Sequence, residues 1–264
     1  MENEALIRLG VFAALFLLLA GLEAIAPRRV RRQPRTRRWL TNWGISLANV
    51  LILRALALGL PLLAVGAALD AEAQGWGLFN LTGWPLWLEM ILAVLIFDFA
   101  IWLQHLVTHK VPLLWRLHRV HHADVEFDVT TAIRFHPVEI ALSMLLKIGL
   151  VYLIGPAAWA VVIFEVLLNG TAMFNHSNLR LPLGLDALLR RVLVTPDMHR
   201  VHHSVQRHEH DSNYGFSLSL WDHIFRTYRA QPEEGHDGMT IGLEWQDARP
   251  TRLGWSLWLP FFKR

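Results

Sequence analysis

Eight histidines fall into three patterns: His105-x3-His109, His118-x2-His121-His122 and His199-x2-His202-His203. On a helix, residues i, i+3 and i+4 share a face, so each pattern is expected to aim its imidazoles one way. Imidazole binds iron, zinc and copper, and eight ligands exceed what one ion takes, so the arithmetic asks for two metals. A lone histidine is usually a cap or a solvent-facing group. Three clusters at ligand spacing, all expected on one side of a bilayer, do not arise that way. The chain has no cysteine, which excludes a disulfide framework, a thiolate zinc site and a Cys-ligated iron–sulfur cluster.

The elements that must carry these residues are membrane helices. The 264 residues are 53% hydrophobic and only 18% charged, and charge is thinner than in ordinary soluble domains. An uncharged run at 9–22, with flanks from Leu6 to Ala26, reaches the length of a spanning helix. A cleaved signal peptide fits poorly, because the positive cluster follows the apolar run. Further spans are expected at 45–69, interrupted by Arg54 and Pro61, and at 84–104, carrying Glu89 and Asp98. Residues 138–154 and 157–174 read as a hairpin turning at Gly155-Pro156, either spanning or re-entrant. The fold class is therefore all-α, with four to five membrane helices and a cytoplasmic helical cap holding the histidines. Three segments are expected: 1–83 with the N-terminal membrane helices and a basic loop, 84–230 as the catalytic domain, and 231–264 as a tail.

Seven arginines crowd into residues 28–38, while the connection at 70–83 and the Gly155-Pro156 tip have no Lys or Arg. The alternation places the N-terminus outside and the histidines in the cytoplasm, as in a bacterial inner membrane. Between two apolar spans, the arginines read as a topology signal touching anionic lipid rather than a nucleic-acid arm, and no nucleic-acid partner is expected.

The order HxxxH, HxxHH, HxxHH resembles the fatty acid hydroxylase superfamily, in particular its bacterial sterol desaturase-like members. Phe135-His136-Pro137 with Glu139, Asn175-His176-Ser177-Asn178, Ser212-Asn213-Tyr214-Gly215 and Trp221-Asp222-His223-Ile224-Phe225 extend the similarity over about half the chain. The resemblance implies a membrane-bound di-metal oxygenase that activates O2 and hydroxylates or desaturates a lipid C–H bond. It implies two iron ions on the three histidine boxes and His176, with zinc an alternative occupant of purified protein. His176 also lies near one helical stripe with Glu165, Asn169 and Met173, and polar groups inside a membrane helix point to a functional interior.

Asp98 is close to two turns before His105 and could accept the outer N–H of a ligand histidine. His136 could line the site or begin a helix at Pro137, and Asn213 reads either as a site residue or as turn chemistry. His208 and His210 read as solvated loop, and His236 as part of a turn. No nucleotide-binding motif is present and no fused electron-transfer domain fits. The electrons are therefore expected from a separate ferredoxin or small cytochrome with its reductase. Its docking face is expected around Arg180, Arg190, Arg191, Arg200 and Arg207. Three other classes share part of this pattern. A b-type haem protein would place single histidines on facing helices, and a metal transporter would hold its ligands near mid-bilayer. A His-ligated membrane hydrolase shares the ligand type, because imidazole does not discriminate zinc from iron.

Overall fold

The computed structural model describes residues 3–59 and 63–262. Its helices are α1 (Glu4–Ile25), α2 (Arg35–Gly59), α3 (Ala64–Gln74), α4 (Leu78–Thr82), α5 (Leu86–Lys110), α6 (Pro112–His122), α7 (Pro137–Ile154), α8 (Ala158–Asn175), α9 (Leu183–Leu189) and α10 (Pro196–His202), followed by shorter turns of helix. No strand occurs among the described residues, only isolated bridges such as Pro27 to Leu179. Five helices, α1, α2, α5, α7 and α8, are long and apolar enough to cross a membrane. The chain is an all-α integral membrane protein.

The second span differs from expectation. A single helix at 45–69 is not formed; α2 begins at Arg35 and ends at Gly59, and α3 starts at Ala64. The expected interruption at Pro61 lies outside the described residues. Hydropathy missed the start because the first turns of α2 are polar for an internal reason. Arg38 donates to both oxygens of Asp124 at 2.8 Å and to Asp128 at 2.7 Å, while Asn42 donates to Asp124 and Thr130. Burial alone would raise the Asp128 carboxyl, but the adjoining Arg38 guanidinium outweighs it and holds the group at about 2. Arg38 is thus a buried structural cation, not a lipid-touching one. Losing one partner from such a network costs about 3–5 kcal/mol.

The hairpin of α7 and α8 turns at Gly155 as expected. His136 caps α7, its Nδ1 accepting from Val138 N at 3.2 Å, with Pro137 at the first helical position. Gly155 ends α7 in the left-handed region at φ 61°. A Cβ built on Gly77 would fall 2.2 Å from Gly155 N, so the preceding loop sits directly on the hairpin tip.

α8 is the central helix, packing against α1, α3 and α5, while α2 packs on α7. Phe97 of α5 and Phe164 of α8 stack at 5.0 Å in the apolar core. At the opposite end a polar cap closes over the helices. The loop after α1 is stitched to it by Arg28 N donating to Asn178 O and Arg180 N donating to Ala26 O. The C-terminal segment packs beneath α6, where Ile45, Val120 and Leu259 form a cluster beside Trp245 and Trp255.

Candidate metal centre

The histidine boxes sit where helices end. His105 and His109 occupy the last two turns of α5, His118, His121 and His122 the end of α6, and His199 and His202 lie on α10 with His203 as its cap residue. α10 is started by Thr195, whose hydroxyl accepts from Met198 N, and by Pro196 at its first position. Nine imidazoles converge from these helices and from His176 at the end of α8. None is more than 5% exposed.

The nine divide into two groups. One holds His105, His109, His118, His122 and His202; the other holds His121, His176, His199 and His203, with ligand nitrogens in each lying within 4.8 Å of one another. The expectation that each HxxHH aims three imidazoles one way is corrected by this division. In all three boxes the i, i+4 pair shares a group: His105 with His109, His118 with His122, and His199 with His203. The i+3 residue crosses to the other group, His121 from α6 and His202 from α10. The 100° turn per residue explains it: i+4 returns within about 40° of i, while i+3 falls about 60° to the other side.

The donors fit metal ions. His105 Nε2 meets His118 Nε2 at 3.0 Å, and His176 Nε2 meets His121 Nε2 and His199 Nε2 at 3.1 Å each. Metal–nitrogen bonds of about 2.0–2.1 Å place adjacent ligands roughly 3.0–3.4 Å apart. Both ring nitrogens of His109, His122 and His203, and Nε2 of His202, are buried without a hydrogen-bond partner. Buried polar atoms of this kind call for a partner. Burial pushes His121, His122, His199, His202 and His203 far below the ordinary imidazole range, and neighbouring imidazoles add to the effect. His176 is pushed down to about 3, again chiefly by burial. Neutral imidazole is the ligating form.

Several outer nitrogens are held by acceptors. His105 Nδ1 lies 2.7 Å from Tyr214 O, His202 Nδ1 2.7 Å from Ser212 O, and His176 Nδ1 2.7 Å from Ala172 O. His118 Nδ1 lies 2.7 Å from a Glu139 carboxylate oxygen. Each contact places the proton on Nδ1 and leaves Nε2 free for a metal. Glu139, which holds His118, was not identified by role in the sequence; an acid in the first turn of the helix that follows the second box was the available signal. Phe135 was likewise missed, and it stacks on His121 at 4.2 Å and 11°.

The structure corrects two expected roles, those of Asp98 and His210, and decides the two that were open, those of His136 and Asn213. Asp98 does not accept from a ligand histidine; it accepts from Trp221 Nε1 at 2.8 Å and Leu218 N at 3.4 Å, tying the post-box segment to α5. His136 caps α7 and lies outside both histidine groups. Asn213, at φ 52°, donates to Met198 O and Arg229 O and accepts from Arg229 N, so it pins a turn whose neighbours Ser212 and Tyr214 hold His202 and His105. His210 is not solvated: it is buried, stacks on Trp115 at 5.2 Å, and its Nδ1 lies 3.1 Å from Ser204 O. His236 is buried too, 3.6 Å from Asp197. His208 is exposed as expected, paired with Glu233. Within the expected docking face, Arg200 is fully buried against Asp197 and Arg190 pairs with Asp186, leaving Arg180, Arg191 and Arg207 on the surface.

Comparison with known proteins agrees with this geometry. The fatty acid hydroxylase model matches residues 90–227, which contain every histidine of both groups. The chain is 32% identical to human alkylglycerol monooxygenase over 63% of its own length and 36% of that protein. It is 28% identical to ornithine lipid hydroxylase OlsE of Rhizobium tropici over 56% of the chain and 44% of that protein. Against fatty acid hydroxylase vlmA of Lecanicillium sp the identity is 29% over 62% of the chain and 49% of that protein. The chain thus spans about a third to a half of the length of these relatives. No solved structure matches it.

Proposed function

The chain belongs to the fatty acid hydroxylase family, and from that premise we propose that it is a membrane-bound oxygenase that uses O2 to oxidise a lipid C–H bond, with one iron ion in each histidine group. The observation that carries this reading is the pair of buried, all-imidazole groups, one of which borders a largely apolar cavity through His105 and His118. Its relatives, named alkylglycerol monooxygenase and ornithine lipid hydroxylase, point to a lipid as the substrate. In the hydroxylation form, R–H, O2, two electrons and two protons give R–OH and water, and the electrons come from a ferredoxin or small cytochrome. Iron supplies the O2 activation, and zinc is an alternative occupant in purified protein.

The chain's own residues position and insulate. Glu139 and the carbonyls of Tyr214, Ser212 and Ala172 orient four of the imidazoles. Phe135, Ala172 and Phe216 line the cavity beside His105 and His118, so a lipid entering between the helices need never cross water. The exposed Arg180, Arg191 and Arg207 offer an acidic donor a basic surface. We place the histidines on the cytoplasmic side of a bacterial inner membrane, following the Lys and Arg alternation.

Purified, iron-loaded protein incubated with membrane lipid, a reductant system and 18O2 is expected to yield lipid carrying one 18O atom. Label entering instead from H2 18O, with no O2 dependence, marks a hydrolase and overturns the reading.

A further inference from the structure

The cavity that reaches the metal centre changes character along its length. Its volume is about 300 Å3, and His105 and His118 form one end. Close to that end, four helices each place a neutral polar side chain on the wall: Asn49 from α2, Gln104 from α5, Ser143 from α7 and Asn169 from α8. Gln104 immediately precedes His105, Ser143 lies one turn beyond Glu139, and Asn169 lies two turns before His176. Farther along, Leu53 sits a turn beyond Asn49. Phe12 lies about three turns before Glu23, whose carboxylate accepts from Val129 N at the metal end.

Most of the polar layer is satisfied within the protein. Ser143 donates to Gln104 at 3.1 Å, and Asn169 donates to Glu165 O at 2.7 Å. Asn49 differs: its carboxamide oxygen is buried with no hydrogen-bond partner. An unpaired amide among membrane helices is costly, so a ligand that satisfies it gains affinity. Among the described residues no Lys or Arg lines this cavity; its one carboxylate, Glu139, gives one oxygen to His118, and the other is buried without a partner, a second acceptor that also favours a donor group over an anion. The wall therefore suits a neutral hydrogen-bonding group, not a phosphate or a free carboxylate.

We propose that the cavity takes a neutral lipid bearing an O–H or N–H donor. Asn49 holds that group in the polar layer, and the chain runs toward Leu53 and Phe12. The carbon presented at His105 and His118 is then adjacent to the polar group, not in mid-chain. The position of oxidation, though not the binding pose, rests on the lipid-oxygenase reading.

The test uses the full-length, metal-loaded protein in nanodiscs with hexadecanol carrying a diazirine at carbon 6, about one helical turn from the hydroxyl. Adducts are expected on Leu53 and Phe12, competed by excess hexadecanol and not by hexadecane. Asn49→Leu is expected to reduce labelling about tenfold at subsaturating probe, the equivalent of one lost hydrogen bond. With O2 and the reductant system added, turnover of hexadecanol is expected to place oxygen within three carbons of the hydroxyl. Adducts confined to Phe135 and Phe216, equal competition by hexadecane, or mid-chain oxidation each overturn the proposal. The expected adducts without any turnover uphold the pose and count against the oxygenase reading instead.

Discussion

The two histidine groups are built from the same residue type but held in different ways. In the group of five, His105, His118 and His202 have their outer nitrogens tied to a carbonyl or a carboxylate, and His109 Nδ1 approaches Asp211 at 3.5 Å. In the group of four, His176 alone has such a tie, to Ala172 O. The rest of that group is held by rings: Phe135 stacks on His121, and Phe127 lies 5.1 Å from His203. Hydrogen bonds fix tautomer and ring angle together, whereas stacking restrains the ring without choosing the protonated nitrogen. The difference teaches that rings restrain both sites, Trp115 lying 4.9 Å from His109 and 5.3 Å from His122, while the polar anchors are concentrated at the five-histidine site. The five-histidine site also borders the cavity, through His105 and His118.

Replacing one ligand in each group tests the division most strongly. His202→Ala and His199→Ala are each expected to lower product formation by more than about a hundredfold. Each should remove about one metal ion per chain while the protein stays in the membrane. Unchanged product by mass spectrometry in either variant breaks the assignment of that group.

Removing an anchor comes next. Glu139→Ala is expected to weaken metal binding at the five-histidine site about 10–100-fold, by metal titration, and to leave the other site alone. Glu139→Gln keeps an acceptor oxygen and should recover most of the loss. A smaller effect is expected from Phe135→Leu, because a lost ring pair is worth about 0.5–1.5 kcal/mol. Titration of that variant should show less than about a tenfold change, confined to the four-histidine site; a change at the other site would erase the contrast.

The smallest effects lie outside both groups. Asp98→Asn keeps an acceptor for Trp221 and should retain two metals, with activity within about threefold of wild type. His208→Ala should be indistinguishable from wild type. His210→Ala is expected to lower thermal stability because it empties a buried place against Trp115.

Much of this was legible in the chain. The three boxes stand out because ligand spacing on a helix is a local property, His176 was found through the resemblance and its polar stripe, and the apolar helices other than the second follow from hydropathy. What was not legible depended on contacts distant in sequence. The pairing of His118 with Glu139 requires α6 and α7 to meet, and the diversion of Asp98 to Trp221 requires the segment after the third box to fold back on α5. His210 looked solvated because its neighbours are charged, yet the fold turns its ring under Trp115. The polar first turns of α2 escaped the hydropathy reading because Arg38 and Asn42 serve buried partners.

The central claim is that the nine histidines form two separate all-nitrogen metal sites. Metal quantification joined to X-ray absorption on protein expressed with ample iron measures this directly. The account predicts two iron ions per chain, each with a first shell dominated by imidazole nitrogen. One ion or none per chain, or a shell dominated by carboxylate oxygen, would contradict it.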